Sequence, residues 1–154
     1  MYPSLIKLLE ALGVNKREQL YAYAVTQLGN SLSGVKAPIE LGCVEAFCNV
    51  VNGFAGATVF DMVHTAEIRK ALDRSIRFQK LSDGEPMKRG DIIVSVTGEG
   101  KAGTRGHIGI YDGKSFMSNN SKTGKWDNHI PLGLWIGRYL IEYRMPLHRY
   151  RIVF

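Results

Sequence analysis

The chain has 154 residues, 45% of them hydrophobic and 22% charged, which suits a soluble protein with a real core and excludes disordered, fibrous and membrane-spanning compositions. Twenty Lys and Arg against 14 Asp and Glu give a net charge of +6, which favours anionic surroundings, but the basic residues are spread out and carry no nucleic-acid motif. Two cysteines five residues apart on one helical segment cannot close a disulfide, and no metal-ligand spacing occurs, so neither metal nor other cofactor is expected.

Ser4–Leu12 reads as a first helix closed by Gly13. Asn15, with Glu18 three residues on, is a capping-box-like start for a second helix that carries Leu20, Ala24 and Leu28 on one face and ends at Gly29. A loop from Ser31 leads to Gly42. Then Val44, Phe47, Cys48, Val50, Val51 and Phe54 form one helical stripe, with Asn52-Gly53 as its stop signal. Cys43, at the mouth of this helix, falls within about 40° of Phe47, Val50 and Phe54, so its sulfur runs along the buried edge. Glu45, Asn49 and Asn52 take the opposite face. A fourth helix is expected over Thr58–Leu72.

The pattern then changes to strands. Arg77–Leu81 and Asp91–Val96 flank a turn at Asp83–Pro86, and Thr97–Arg105 is a Gly-rich loop. Gly106–Tyr111 and Lys114–Ser118 flank Asp112-Gly113, a hairpin signal. Trp135–Ile141 reads as a short helix, and alternating Leu147–Val153 closes the sheet. Helices first and antiparallel strands second predict an α+β fold. The expected organisation is one domain over 1–154, with residues 1–35 as a helical extension integrated with it.

Cys43 and His107 are the residues with chemistry in them. A thiol at a helix N-terminus is placed where free N–H groups favour the thiolate, and an imidazole at a strand start can take its proton. Cys48, a full turn further in, reads as packing. His64, His129 and His148 read as dispensable. Among Cys-His arrangements this spacing points to nucleophilic acyl transfer.

Four segments, taken in order, carry a resemblance. They are Leu41-Gly42-Cys43-Val44-Glu45-Ala46, the run Pro86 to Ser95 with Gly90-Asp91-Ile92, the strand Gly106-His107-Ile108-Gly109-Ile110-Tyr111, and Met117-Ser118-Asn119-Asn120-Ser121 followed by Thr123-Gly124-Lys125-Trp126. As a set they resemble the papain-like cell-wall cysteine hydrolases, the CHAP and NlpC-like peptidases and amidases, with small phage-associated members as the nearest likeness. The likeness runs from about Gly42 to the C-terminus.

It implies a papain-like fold, with the nucleophile helix packed on an antiparallel sheet, and Cys43 and His107 as nucleophile and base. It also implies a third residue that orients the histidine, for which this chain offers only asparagine. A two-residue Asp112-Gly113 turn sets Asn120 on the His107 face, and a three-residue loop sets Asn119 there. The resemblance favours Asn119. Asn120 and Trp126 are expected to bind substrate beside the Gly-rich loop, with a packing role for Trp126 as the alternative.

The activity implied is peptidoglycan hydrolysis, by a cysteine endopeptidase or an N-acetylmuramoyl-L-alanine amidase, in phage lysis or as a virion component. A catalytically degenerate wall-binding or virion module is the alternative. Peptidoglycan is the expected partner, together with virion or tail proteins, and neither nucleic acid nor membrane insertion is expected. The N-terminus lacks the charged start and apolar run of a signal peptide, which predicts synthesis in the cytoplasm and action at the wall.

Overall fold

The computed structural model describes residues 2–153. In chain order the elements are α1 (Tyr2–Ala11), α2 (Lys16–Thr26), a 3₁₀ turn (Ile39–Leu41), α3 (Cys43–Ala55), α4 (Thr65–Arg74), β1 (Phe78–Lys80), β2 (Ile92–Ser95), β3 (His107–Tyr111), β4 (Ser115–Asn119), β5 (Trp126–Pro131), α5 (Leu132–Trp135), a π-helical segment (Ile136–Glu142) and β6 (Leu147–Ile152). The strands form one antiparallel sheet in the order β1-β6-β2-β3-β4-β5. Helices precede the sheet, so the α+β expectation holds. Among the described residues, no helix is long and apolar enough to cross a membrane.

The sheet has a helical layer on each face. One face carries Ile92, Val94, Ile108, Ile110 and Met117, which close on Val44, Phe47, Val50 and Val51 of α3. The other carries Ile93, Tyr111 and Phe116, which close on Trp135, Tyr139 and Met145. Strand side chains alternate between faces, so β2, β3 and β4 are buried on both sides and read as near-continuous apolar runs.

Local chemistry explains most boundaries. Asn15 caps α2 by accepting the Glu18 N–H at 2.9 Å. Gly90, at φ +92°, lies where a Cβ would meet the Arg17 carbonyl oxygen at 2.2 Å, so only glycine fits ahead of the buried Asp91. Asp91 in turn receives the Arg151 Nε and Nη2 at 2.8 and 2.7 Å, which ties β6 to the start of β2.

Three expectations are corrected. Asn52-Gly53 does not end α3, which runs to Ala55 and ends on Gly56 in the left-handed region. Instead Asn52 fastens the following loop, accepting from Val59 and Phe60 N–H and donating to the Phe60 carbonyl. Gly53 lets α2 come close, since a Cβ there would meet the Tyr23 hydroxyl at 1.9 Å. Residues 58–64 are loop rather than the start of α4, although Phe60 is buried from there. The hairpin tip is Gly113-Lys114, not Asp112-Gly113. Tyr111 pairs with Phe116, and the Asp112 carboxylate takes the Lys114 and Ser115 N–H groups, moving the turn one residue along.

Candidate active site

Residues 33–45 build one wall of the site. Gly42 precedes Cys43 because a Cβ there would meet Ser33 Cβ at 2.4 Å, so only glycine lets the loop close on the helix start. Glu45, in the first turn of α3, is buried, and its carboxylate accepts the N–H groups of Gly34, Val35, Lys36 and Ala37 at 3.0, 3.2, 2.9 and 3.3 Å. A run of backbone N–H groups around an anion is a nest, here filled by the protein's own carboxylate. The sequence pattern put Glu45 on the solvent face. The loop covers that face, and the glycine at position 34, with φ +92°, was the only signal of a turn tight enough to do so.

Cys43 and His107 line the same cavity, of about 980 Å³, with Lys36, Arg105, His129 and Arg138 around them. The link between α3 and β3 is direct. The N–H of Ile108, next to His107, acts on the Cys43 sulfur together with the N–H groups of Val44 and Cys43 itself. His107 is packed between aromatic rings, 5.4 Å from Trp135 and 6.1 Å from Tyr139, the latter nearly parallel at 9°. Trp135, Tyr139 and Tyr143 follow one another at intervals of four residues and touch in series, at 4.7 and 5.6 Å. The sequence reading placed a short helix here and missed these aromatics as site residues. The π-helical form, a wider turn often found at functional sites, brings Arg138 and Tyr139 to the cavity side by side.

The electrostatics differ from the expectation at the helix mouth. Burial pushes the Cys43 thiol up to about 11, outweighing the three backbone N–H groups that act to lower it. Burial also pushes the His107 imidazole down to about 3, and the nearby His129 and Arg138 charges add to that. The resting pair is therefore a neutral thiol and a neutral imidazole, not a preformed thiolate. Cys48 is pushed up to about 11 as well, so access rather than acidity separates the two thiols. Cys43 borders the cavity, whereas Cys48 is buried with its sulfur on the Met62 carbonyl at 3.7 Å.

The remaining expected residues sit as follows. Asn119 lines the cavity, but its amide is engaged elsewhere: Oδ1 accepts from Ser33 Oγ and Nδ2 donates to the Ile39 carbonyl, both at 2.8 Å. It holds the loop ahead of Cys43 rather than the imidazole. Asn120 closes the β4–β5 turn, accepting from Lys122 N–H and donating to Asp127. Trp126 is corrected as a substrate-binding residue, because it is fully buried and its indole N–H donates to the Ala24 carbonyl at 3.1 Å in the core. His129 stands on the rim with Asp127 against its Nδ1. His148 is bonded to the Glu99 carboxylate at 2.6 Å. Among the described residues, no group of three or more His, Cys, Asp or Glu side chains is placed to hold a metal.

No sequence-family profile matches the chain. No curated protein sequence matches it either. Among solved structures, it is similar to a chain of the type VI native effector–immunity complex Tae3–Tai3 from Ralstonia pickettii, with a TM-score of 0.54 and 20% identity over 86% of this chain and 95% of that one. The selenomethionine form of the same complex gives 0.52 and 19% over 84% and 96%. At such identities the likeness is one of fold. The architecture is papain-like α+β, with the helix of Cys43 packed on an antiparallel sheet.

Proposed function

We propose that the chain is a cysteine hydrolase of bacterial peptidoglycan. It cuts either within the stem peptide, as an endopeptidase, or at the N-acetylmuramoyl-L-alanine link, as an amidase. The observation that carries the reading is the convergence of Cys43, at the start of α3, and His107, at the start of β3, on one cavity, with the Ile108 N–H already at the sulfur. The four sequence segments that resemble cell-wall hydrolases support the substrate class. So does a cavity wall carrying Arg105 and Arg138, which suits an anionic wall polymer.

The chemistry is acyl transfer through a thioester. His107 takes the Cys43 proton as the sulfur attacks the amide carbonyl. The Cys43 backbone N–H, at the helix start, is a donor for the developing oxyanion. The C–N bond breaks as His107 returns its proton to the leaving nitrogen. Water then attacks the thioester, giving its proton to His107, which restores it to the sulfur. Because the resting pair is neutral, proton transfer accompanies the attack rather than preceding it.

The sequence resemblance implied phage lysis or a place in the virion. The solved neighbours are parts of a type VI effector–immunity complex, which favours delivery as an effector and a dedicated immunity protein as partner. The test is to incubate purified wall material with the wild-type chain and with Cys43→Ala, and to identify soluble products by mass spectrometry. New amino termini within the stem are expected for an endopeptidase, and intact released stems for an amidase. Binding without products across a range of walls would assign the chain to the wall-binding alternative.

A further inference from the structure

Two buried polar atoms beside the site have no hydrogen-bond partner among the described residues: Nε2 of His107 and Oγ of Ser118. Leaving such groups unpaired is unfavourable, and in native proteins they mark a functional demand or a bond not yet made. Both belong to the same face of the sheet. In β4, Met117 packs in the α3-side core, and Asn119 bonds to Ser33 and Ile39 just ahead of α3. Ser118, between them, therefore points to the other face, as Phe116 does. His107 is on that face too, because the Trp135 ring touches both Phe116, at 4.8 Å, and His107, at 5.4 Å.

The register brings the two close. The paired residues are Tyr111 with Phe116 and Ile110 with Met117, and counting on in that register, past the end of the paired stretch, puts Ser118 level with Gly109 and diagonal to His107. Gly109 contributes no side chain to separate them. The other polar neighbours are engaged. Ser95, paired with His107 across β2, accepts the Trp135 indole N–H at 3.0 Å, and both asparagines are bonded elsewhere. The charged and titratable groups around the ring are Cys43 from α3, His129 from β5, and Arg138 and Tyr139 from the π-helical segment. None of these is a carboxylate, and Glu40, the carboxylate in the cavity lining, makes no hydrogen bond to Nε2.

We propose that Ser118 is the positioning residue for His107: its Oγ accepts the Nε2–H of the imidazole, a bond that a side-chain rotation completes. This rests on the reading of Cys43 as nucleophile and His107 as base. The bond fixes the Nε2–H tautomer and leaves the Nδ1 lone pair to take the thiol proton. When the imidazolium forms, Nε2–H stays on Ser118, and the Nδ1 proton goes on to the leaving nitrogen.

The test reads the thiol and needs no wall substrate. Cys43 labelling by iodoacetamide, followed peptide by peptide, is compared between wild type and Ser118→Ala across pH. Labelling at neutral pH should fall about three- to tenfold, the weight of one hydrogen bond on the base. The gap should close near pH 11, where hydroxide makes the thiolate without help. Ser118→Thr, which keeps the hydroxyl, should recover the neutral-pH rate. Superimposable profiles, or a loss equal at every pH, overturn the proposal. Nitrogen NMR of the wild-type chain should show His107 as the Nε2–H tautomer, and the Nδ1–H tautomer overturns it whether or not the variants fold. If the wild type digests no wall while the labelling pattern holds, the substrate reading fails and the role of Ser118 stands.

Discussion

Cys43 and His107 line one cavity, and each rests in its neutral form. The His107 imidazole is pushed down to about 3 and the Cys43 thiol up to about 11, so neither is charged at neutral pH. Cys43→Ala should abolish hydrolysis. His107→Ala should lower turnover on the order of 10²- to 10⁴-fold, the usual range for loss of a general base, while His129→Ala should leave most activity, since its place is the rim. Product release from purified wall, followed over time, checks all three. Asn119→Ala should act differently, loosening the loop at Ser33 and Ile39 and lowering the melting temperature more than it changes the pH dependence of turnover. The positions of Cys43 at a helix start and His107 at a strand start were legible in the sequence, because both show in short-range patterning. The environment was not legible, because the burial of the thiol comes from tertiary packing, and the Ile108 N–H reaches the sulfur from a strand distant in sequence.

At the scale of elements, α3 both carries Cys43, the proposed nucleophile, and anchors the wall ahead of it. Glu45 binds four backbone N–H groups of residues 34–37, and the same loop is fastened by Asn119. Glu45→Ala should destabilise the fold by about 2 kcal/mol, since those part-buried N–H groups lose their shared acceptor, and urea titration measures this directly. A Glu45→Ala chain as stable as wild type would mean that the nest is re-satisfied by water. The strands were legible from their apolar runs and turn signals, and α2 from its cap. The end of α3 and the start of α4 were misplaced because Asn52 and Phe60, which look like a stop signal and a helical stripe, are a loop fastener and a buried loop residue. The hairpin tip was misplaced by one residue because the Asp112 side chain, rather than a backbone pair, takes the Ser115 N–H. The Trp135–Tyr139–Tyr143 run was legible as helical, but not as π-helical, a form in which Trp135 packs on Phe116 and Tyr139 on His107.

Across the whole molecule these neutral groups set a pH window for stability. Unfolding exposes His107 to its ordinary value of 6.5, so below that the unfolded chain binds a proton the folded one refuses, and stability falls as pH drops from 6.5 toward 3. Cys43 acts at the other end: above its ordinary value of 9.0 the unfolded thiol ionises while the folded one does not, so stability falls as pH rises toward 11. Melting temperatures should be highest between these limits, and His107→Asn should flatten the acid limb; an acid limb unchanged in that variant would place its origin elsewhere. The α+β order of elements was readable from the change of periodicity after residue 74, and the papain-like layering became visible only with the sheet order β1-β6-β2-β3-β4-β5, which joins strands far apart in sequence. The dry, protonated sulfur has a consequence outside catalysis. Peroxide attacks thiolates, not thiols, so a nucleophile held at about 11 is converted to sulfenic acid more slowly than an ionised thiol, and only as fast as His107 takes its proton. Cys48 is protonated by its own burial as well, so dimedone trapping after peroxide should label Cys43 far less at neutral pH than near pH 11, and His107→Ala should lower the neutral-pH signal further.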